Sequence, residues 1–281
     1  MRAAFGVKKE IQEEIPMKRT IMLALVFFLC FSFRAQAQQP SLHFALYDNF
    51  NQQFLSPAKW ATSSPCFTWS VLECVREIQN GELRLAVRGY GTETSNLGTQ
   101  YGESELHFIK PTPIRSIATQ LVVRRTSALG CPANPQGSHA HALLAGSFFN
   151  SGSGSATDDV QAFLIFDRFS TDPVGVLAAQ AFMFWQGQFF GGVSLGTVRV
   201  GQNVIAQLQW DQANHQFLAS WTDVDTGAVT QASMPYAMSD TAPPAAPDKL
   251  MGVRAFTANC LGTKMLSVGM EATFDDVIVG R

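Results

Sequence analysis

The sequence predicts an all-β protein, an antiparallel β-sandwich or jelly roll built of two sheets. Three observations lead there. Apolar and polar residues alternate with a period of two in segment after segment, while helical periodicity is almost absent. Clusters of Gly, Asn, Asp, Ser and Pro fall between those segments, where chain reversals are needed. The chain has 281 residues, 46% of them hydrophobic and 15% charged, which is ample material for one core.

In chain order, the first segment is not part of that core. From Met17 the chain reads Lys18-Arg19, then an apolar run from Ile21 to Phe33, then Ala35-Gln36-Ala37. Charged, apolar and small in that order is the pattern of a secretory signal peptide, with cleavage after Ala37. Residues 1–37 are therefore expected to be an N-terminal extension and signal peptide with Met17 as the true start, and 38–281 a single domain. The apolar run is too short for a membrane span. Cys30 lies inside it without the preceding small residue of a lipoprotein site, so it leaves with the peptide. The remainder carries 14 Lys+Arg against 19 Asp+Glu, a net charge of about −5 that makes nucleic acid a poor partner.

Four cysteines survive cleavage, an even number in an exported chain, and disulfides are the default over metal ligation. Of the three possible pairings we favour Cys66 with Cys74 and Cys131 with Cys260. The strand signals follow. Leu83, Leu85 and Val87 alternate with Glu82, Arg84 and Arg88; Leu106 and Phe108 alternate with Glu105 and His107; Val204, Ala206, Leu208 and Trp210 alternate with Ile205, Gln207 and Gln209. Turns are expected at Asn80-Gly81, Ser151 to Ser155, Gly191-Gly192, Asp211 to Asn214 and Thr226-Gly227, with a surface loop from Thr241 to Pro247. The strand from Asp158 to Asp167 declares both its faces. Val160, Ala162, Leu164 and Phe166 read as core, and Asp159, Gln161, Phe163 and Ile165 as the surface shown to a ligand. Trp60, Trp210 and Trp221 read as core as well.

The order of motifs resembles a known superfamily. Tyr47-Asp48-Asn49-Phe50-Asn51, Leu55-Ser56-Pro57-Ala58-Lys59-Trp60 and Gln79-Asn80-Gly81-Glu82-Leu83-Arg84-Leu85 look like the opening of concanavalin A-like lectin/glucanase jelly rolls, laminarinases and lichenases among them. Ala272-Thr273-Phe274-Asp275-Asp276-Val277-Ile278-Val279 resembles the last strand of those domains and of laminin-G-like modules. The resemblance brackets residues 44–280. It implies that Asp158 to Phe166 occupies the place of the glucanases' catalytic strand, whose ligand-facing positions carry Glu, Asp and Glu. It also implies a structural calcium held by a carbonyl near Phe44 to Asp48, the Gly81 carbonyl and the Asp275 carboxylate, oxygen donors that suit this ion.

Here the three catalytic positions read Asp159, Gln161 and Phe163, and phenylalanine cannot transfer the proton that glycoside hydrolysis requires. No catalytic residue is assigned on this strand. Glu103 and Glu105 share a face and are the best substitutes, though exposed glutamates on an edge strand are far more often solubilising. His139 and His141, two apart on a strand, share a face in the way a cupin metal site begins, but no glutamate follows at the expected interval. There is no Gly-x-Ser-x-Gly elbow for serine catalysis.

Sugars stack on flat side chains and hydrogen-bond to amides and carboxylates. Asp159, Gln161, Phe163, Trp185 and His141 are accordingly the candidate carbohydrate-binding residues. A secreted, non-catalytic, lectin-like protein with a polysaccharide or glycan partner is the leading reading. A diverged glycoside hydrolase or polysaccharide lyase is the second, and a structural or adhesive surface protein the third.

Overall fold

The computed structural model describes residues 42–61, 66–68 and 72–281. Residues 1–37, with the expected cleavage point and the domain start at 38, lie outside them. Leu42–Arg281 packs as one compact unit of two antiparallel sheets, as expected for a jelly roll.

The eight-stranded sheet runs in the order β13 (Val229–Pro235), β12 (Gln216–Asp223), β11 (Asn203–Asp211), β6 (Ser116–Ala128), β15 (Ser267–Gly280), β4 (Glu82–Tyr90) and β3 (Leu72–Gln79), with β1 (Phe44–Asp48) also paired to β15. The last strand pairs with β6 along one edge and is long enough to serve two neighbours along the other, β4 through Ser267 to Phe274 and β1 through Val277 to Gly280. The seven-stranded sheet runs β10 (Gln188–Arg199), β9 (Val176–Trp185), β8 (Asp159–Phe169), β7 (His139–Asn150), β14 (Lys249–Ala258), β5 (Thr99–His107) and β2 (Cys66–Thr68).

The alternation along β8 is realised. Val160, Ala162, Leu164 and Phe166 are at most 1% exposed and join the core between the sheets, as do Trp60, Trp210 and Trp221. Each fully buried Leu or Phe contributes about 1.5–3 kcal/mol. The favoured cysteine pairs are both present. Cys66–Cys74 ties β2 to β3, hence one sheet to the other at an edge. Cys131–Cys260 closes a loop of 129 residues, which in the chain-entropy account stabilises by about 5 kcal/mol.

One turn reading holds in the structure and one is revised. Asn80-Gly81 is a two-residue hairpin turn with both φ values positive (56° and 81°), as its sequence demands. Gly191-Gly192 is not a turn. It lies within β10, where the register with β9 slips between Phe189 and Gly192, because a glycine inside a strand marks a bulge. The chain reverses at Gln186-Gly187 instead, again with both φ positive. No helix among the described residues is long and apolar enough to cross a membrane.

Candidate functional site

One face of the seven-stranded sheet packs into the core, and the other is open. Cross-strand pairing sorts the open face into two ends. Toward β10 it is aromatic: Gln161 on β8 lies opposite Phe184 on β9, Phe163 lies opposite Phe182, and Phe184 lies opposite Phe189 on β10. The Phe163 and Phe182 rings stack at 5.0 Å and 18°, so each covers a face of the other. Phe189, 64% exposed, and Gln161, also exposed, leave a ring and an amide free for a ligand. Beneath the stack, Leu143, Ala145, Ile165 and Leu250 form a separate small apolar cluster.

Toward β5 the same face is charged. Glu103, Arg254, His141 and Asp167 occupy paired positions on β5, β14, β7 and β8 in succession. The Arg254 Nε donates to Glu105 Oε1 at 2.5 Å and stands 3.7 Å from Glu103 Oε2. The Tyr101 hydroxyl donates to Glu103. Gly252, opposite Glu105, leaves the space its side chain occupies: a Cβ there would lie 2.7 Å from Glu105 Cγ. His107 bridges Glu105 (3.4 Å) and Asp248 (2.9 Å), and these two, Asp248 first, push its imidazole up to about 10. Burial, then the neighbouring Glu105, raises the Glu103 carboxyl. These glutamates are not the solubilising edge residues the sequence allowed. β2 covers the edge beyond β5, and Glu105 is only 5% exposed because Arg254 and His107 balance its charge.

His141 and Asp167 are almost fully buried in this row. The His141 Nδ1 and Asp167 Oδ1 are 3.9 Å apart, too far for a hydrogen bond, and neither atom has a hydrogen-bond partner. The Nδ1 of His139 has none either. Its ring stacks on Phe256 at 4.4 Å and leans on Phe169 at 4.8 Å. Burial pushes Asp167 up to about 7 and His139 down to about 4, and holds His141 well below its ordinary value.

The predicted sugar-binding residues thus separate. Gln161 and Phe163 lie on the open face, and His141 lies under it. Asp159 turns away: it is 4% exposed, and its carboxylate accepts the amides of Ala245 (2.8 Å) and Ala246 (2.7 Å) and the Asn150 side chain (2.7 Å). It anchors the proline-rich loop rather than facing a ligand. Trp185 is also displaced. It packs against the core, donates its Nε1–H to Ser151 Oγ at 3.0 Å and meets Phe190 edge-on, on the side opposite Phe184. Phe184 and Phe189 were missed by the sequence reading, although Phe182 and Phe184, two apart, carried the signal.

At the other sheet, β1 does meet the end of β15 as the calcium reading requires. The residues fit that ion only in part. A bulge between Asp275 and Ile278 places both Phe274 and Val277 in the core, so Asp275 does not share a face with Val277 by simple alternation. Its Oδ1 accepts the Asp276 amide at 2.8 Å. Asp48 is engaged by Trp60 Nε1, the Phe50 amide and Lys59. Burial raises the Asp275 carboxyl, and the charges of Asp276, Glu82 and Asp48 raise it further. Among the described residues no group of three His, Cys, Asp or Glu converges on a ready metal position.

A concavity of about 670 Å³ belongs to the eight-stranded sheet and is lined by Glu73, Arg84, Arg88, Arg124, Arg125 and Glu271 among others. Its charges mostly satisfy one another: Arg84 pairs with Glu77 (2.7 Å) and Glu271 (2.9 Å), and Arg88 with Glu73 (3.3 Å). Such a solvated ladder is an ordinary exposed sheet face, worth at most about 1 kcal/mol per pair.

Fold and face together define a two-sheet antiparallel β-sandwich of the jelly-roll type, with one sheet presenting an open aromatic and charged surface. No family profile and no curated protein matches the chain. Solved structures do. Winged bean acidic lectin complexed with methyl-α-D-galactose is 13% identical, over 85% of this chain and 99% of that one, with a TM-score of 0.42. A LamA variant from Z. galactanivorans in complex with laminaritriose and laminaritetraose is 10% identical, over 85% and 92%, at 0.41. Scytalido-glutamic peptidase with a peptide-based transition state analog is 13% identical over 55% of this chain, at 0.35, and the match spans 64% of that chain's length. Likeness at this level concerns architecture alone.

Proposed function

We propose that this is a secreted, non-catalytic, carbohydrate-binding protein that takes a glycan across the open face of its seven-stranded sheet. The observation that carries the reading is the row of exposed Gln161, half-buried Phe184 and exposed Phe189 in cross-strand register. It offers an amide for hydroxyls beside rings for the apolar faces of sugars. The charged row from Glu103 to Asp167 continues the same surface toward β5. Two disulfides support export, since oxidising compartments are where such bonds persist. The absence of an acid on Gln161 and Phe163, with Asp159 committed to a loop, argues against catalysis on β8. Incubating the protein with β-glucans, galactans and uronic-acid polymers, while following both retention and new reducing ends, tests the reading.

A diverged hydrolase is kept as a second reading by one observation. Glu103 and Glu105 share a face, burial raises the carboxyl of the first, and the second lies between Arg254 and His107. A structural calcium is a separate proposal, carried by the like charges that gather around Asp275. Asp275 and the Gly81 carbonyl would hold it, adding a counter-charge to that cluster. Melts with calcium and with chelator decide it: a lower melting temperature in chelator, abolished in Asp275→Ala, supports the ion, and superimposed curves remove it.

A further inference from the structure

We infer that His139, His141 and Asp167 form a binding site for one divalent transition-metal ion of the zinc class, at the charged end of the open face. Their placement is the first ground. The two histidines stand two apart on β7 and share its outer face, and Asp167 is the residue directly opposite His141 on β8. Two imidazoles from one strand and a carboxylate from its neighbour present three donors on one side, leaving the solvent side open for a water or ligand.

The second ground is independent of placement. The His139 Nδ1, His141 Nδ1 and Asp167 Oδ1 are three of the five buried side-chain polar atoms that lack a hydrogen-bond partner among the described residues. Orphaned buried groups are costly, and native proteins rarely leave them so. Three in adjacent positions ask for one occupant that satisfies all of them, and a cation with nitrogen and oxygen preference does so. His141 is 8% exposed and Asp167 4%, so the donors are walled by protein, while half-buried His139 gives the entry path.

Charge permits it. The neighbouring Arg254 already answers to Glu105 and Glu103, so its charge is not left unpaired beside the site. The side chains have not converged as they stand. His141 Nδ1 and Asp167 Oδ1 are 3.9 Å apart, against about 3.3 Å between two ligands of a tetrahedral zinc ion. Closing that gap takes a small side-chain rotation, and bringing in His139 takes a turn of its ring away from Phe256.

The test uses the full oxidised chain, stripped with chelator and dialysed against micromolar zinc, with metal per chain counted. Cobalt substitution gives a second readout in the visible d–d bands of a nitrogen and oxygen site. We expect one zinc per chain, and an affinity lowered by roughly tenfold or more in Asp167→Asn, His141→Gln and His139→Ala. His215→Ala, in the turn before β12 of the other sheet, keeps wild-type binding. His139→Ala alters only a half-buried side chain and decides the matter if either buried substitution misfolds. Absence of stoichiometric zinc, or zinc held equally well by His139→Ala and Asp167→Asn, overturns the inference. Neither result depends on whether a glycan binds.

Discussion

Gln161 and Phe184 stand opposite each other on β8 and β9, an exposed amide beside an aromatic ring on the open face of the seven-stranded sheet. Around this pair the proposed ligand surface is organised. Gln161→Ala and Phe189→Ala should each weaken glycan binding by about 1 kcal/mol, roughly fivefold, and leave the melting temperature in place, since both side chains are exposed. Trp185→Ala should do the reverse, lowering stability through lost core contacts with little change in affinity. Affinity electrophoresis beside thermal melts distinguishes the two patterns.

Asp159 is predicted to matter for folding and not for ligand. Removing its carboxylate strands the Ala245 and Ala246 amides and the Asn150 side chain. Asp159→Ala should cost about 3 kcal/mol, read by denaturant titration, because buried donors left unpaired bear their full desolvation cost. An Asp159→Ala variant as stable as wild type but unable to bind glycan would reverse its assignment.

His107 makes stability depend on alkaline pH. Its folded-state value is raised, to about 10, above the ordinary 6.5, so it favours the folded state fully below 6.5, and that contribution is lost as pH rises through 10. Lys249, buried and pushed down to about 7, has the opposite slope over part of that range. The measurable quantity is therefore the difference between wild type and His107→Gln, in which Lys249 cancels. That difference should shrink steadily from pH 7 to pH 10, and a constant difference would show that Asp248 and Glu105 do not hold the imidazole charged.

The fold was legible because alternation is local: every residue of β8 declares its face within ten positions of its neighbours. The site was legible only in part, because its partners come from afar. Asp159 has the parity of a ligand-facing residue, and a loop 86 residues later covers it. Trp185 sits in Phe182-Met183-Phe184-Trp185, where every side chain is apolar and hydropathy cannot say which ones face out. Asp275 follows the alternation until a bulge breaks it. The Glu105 and Arg254 pairing spans 149 residues, yet a trace of it was present. Arg254 is the one charge in the stretch from Leu250 to Ala258, and a lone charge in an apolar strand usually has a buried partner.

The central claim is binding without cleavage on the open face of the seven-stranded sheet, and one measurement meets it directly. The purified protein is passed over immobilised β-glucans, galactans and uronic-acid polymers, and the same polymers are assayed for reducing ends after prolonged incubation. Retention on at least one polymer, diminished in a Gln161→Ala, Phe189→Ala double variant and with no new reducing ends, is the predicted result. New reducing ends that vanish in Glu103→Gln, or no retention on any polymer, would contradict it.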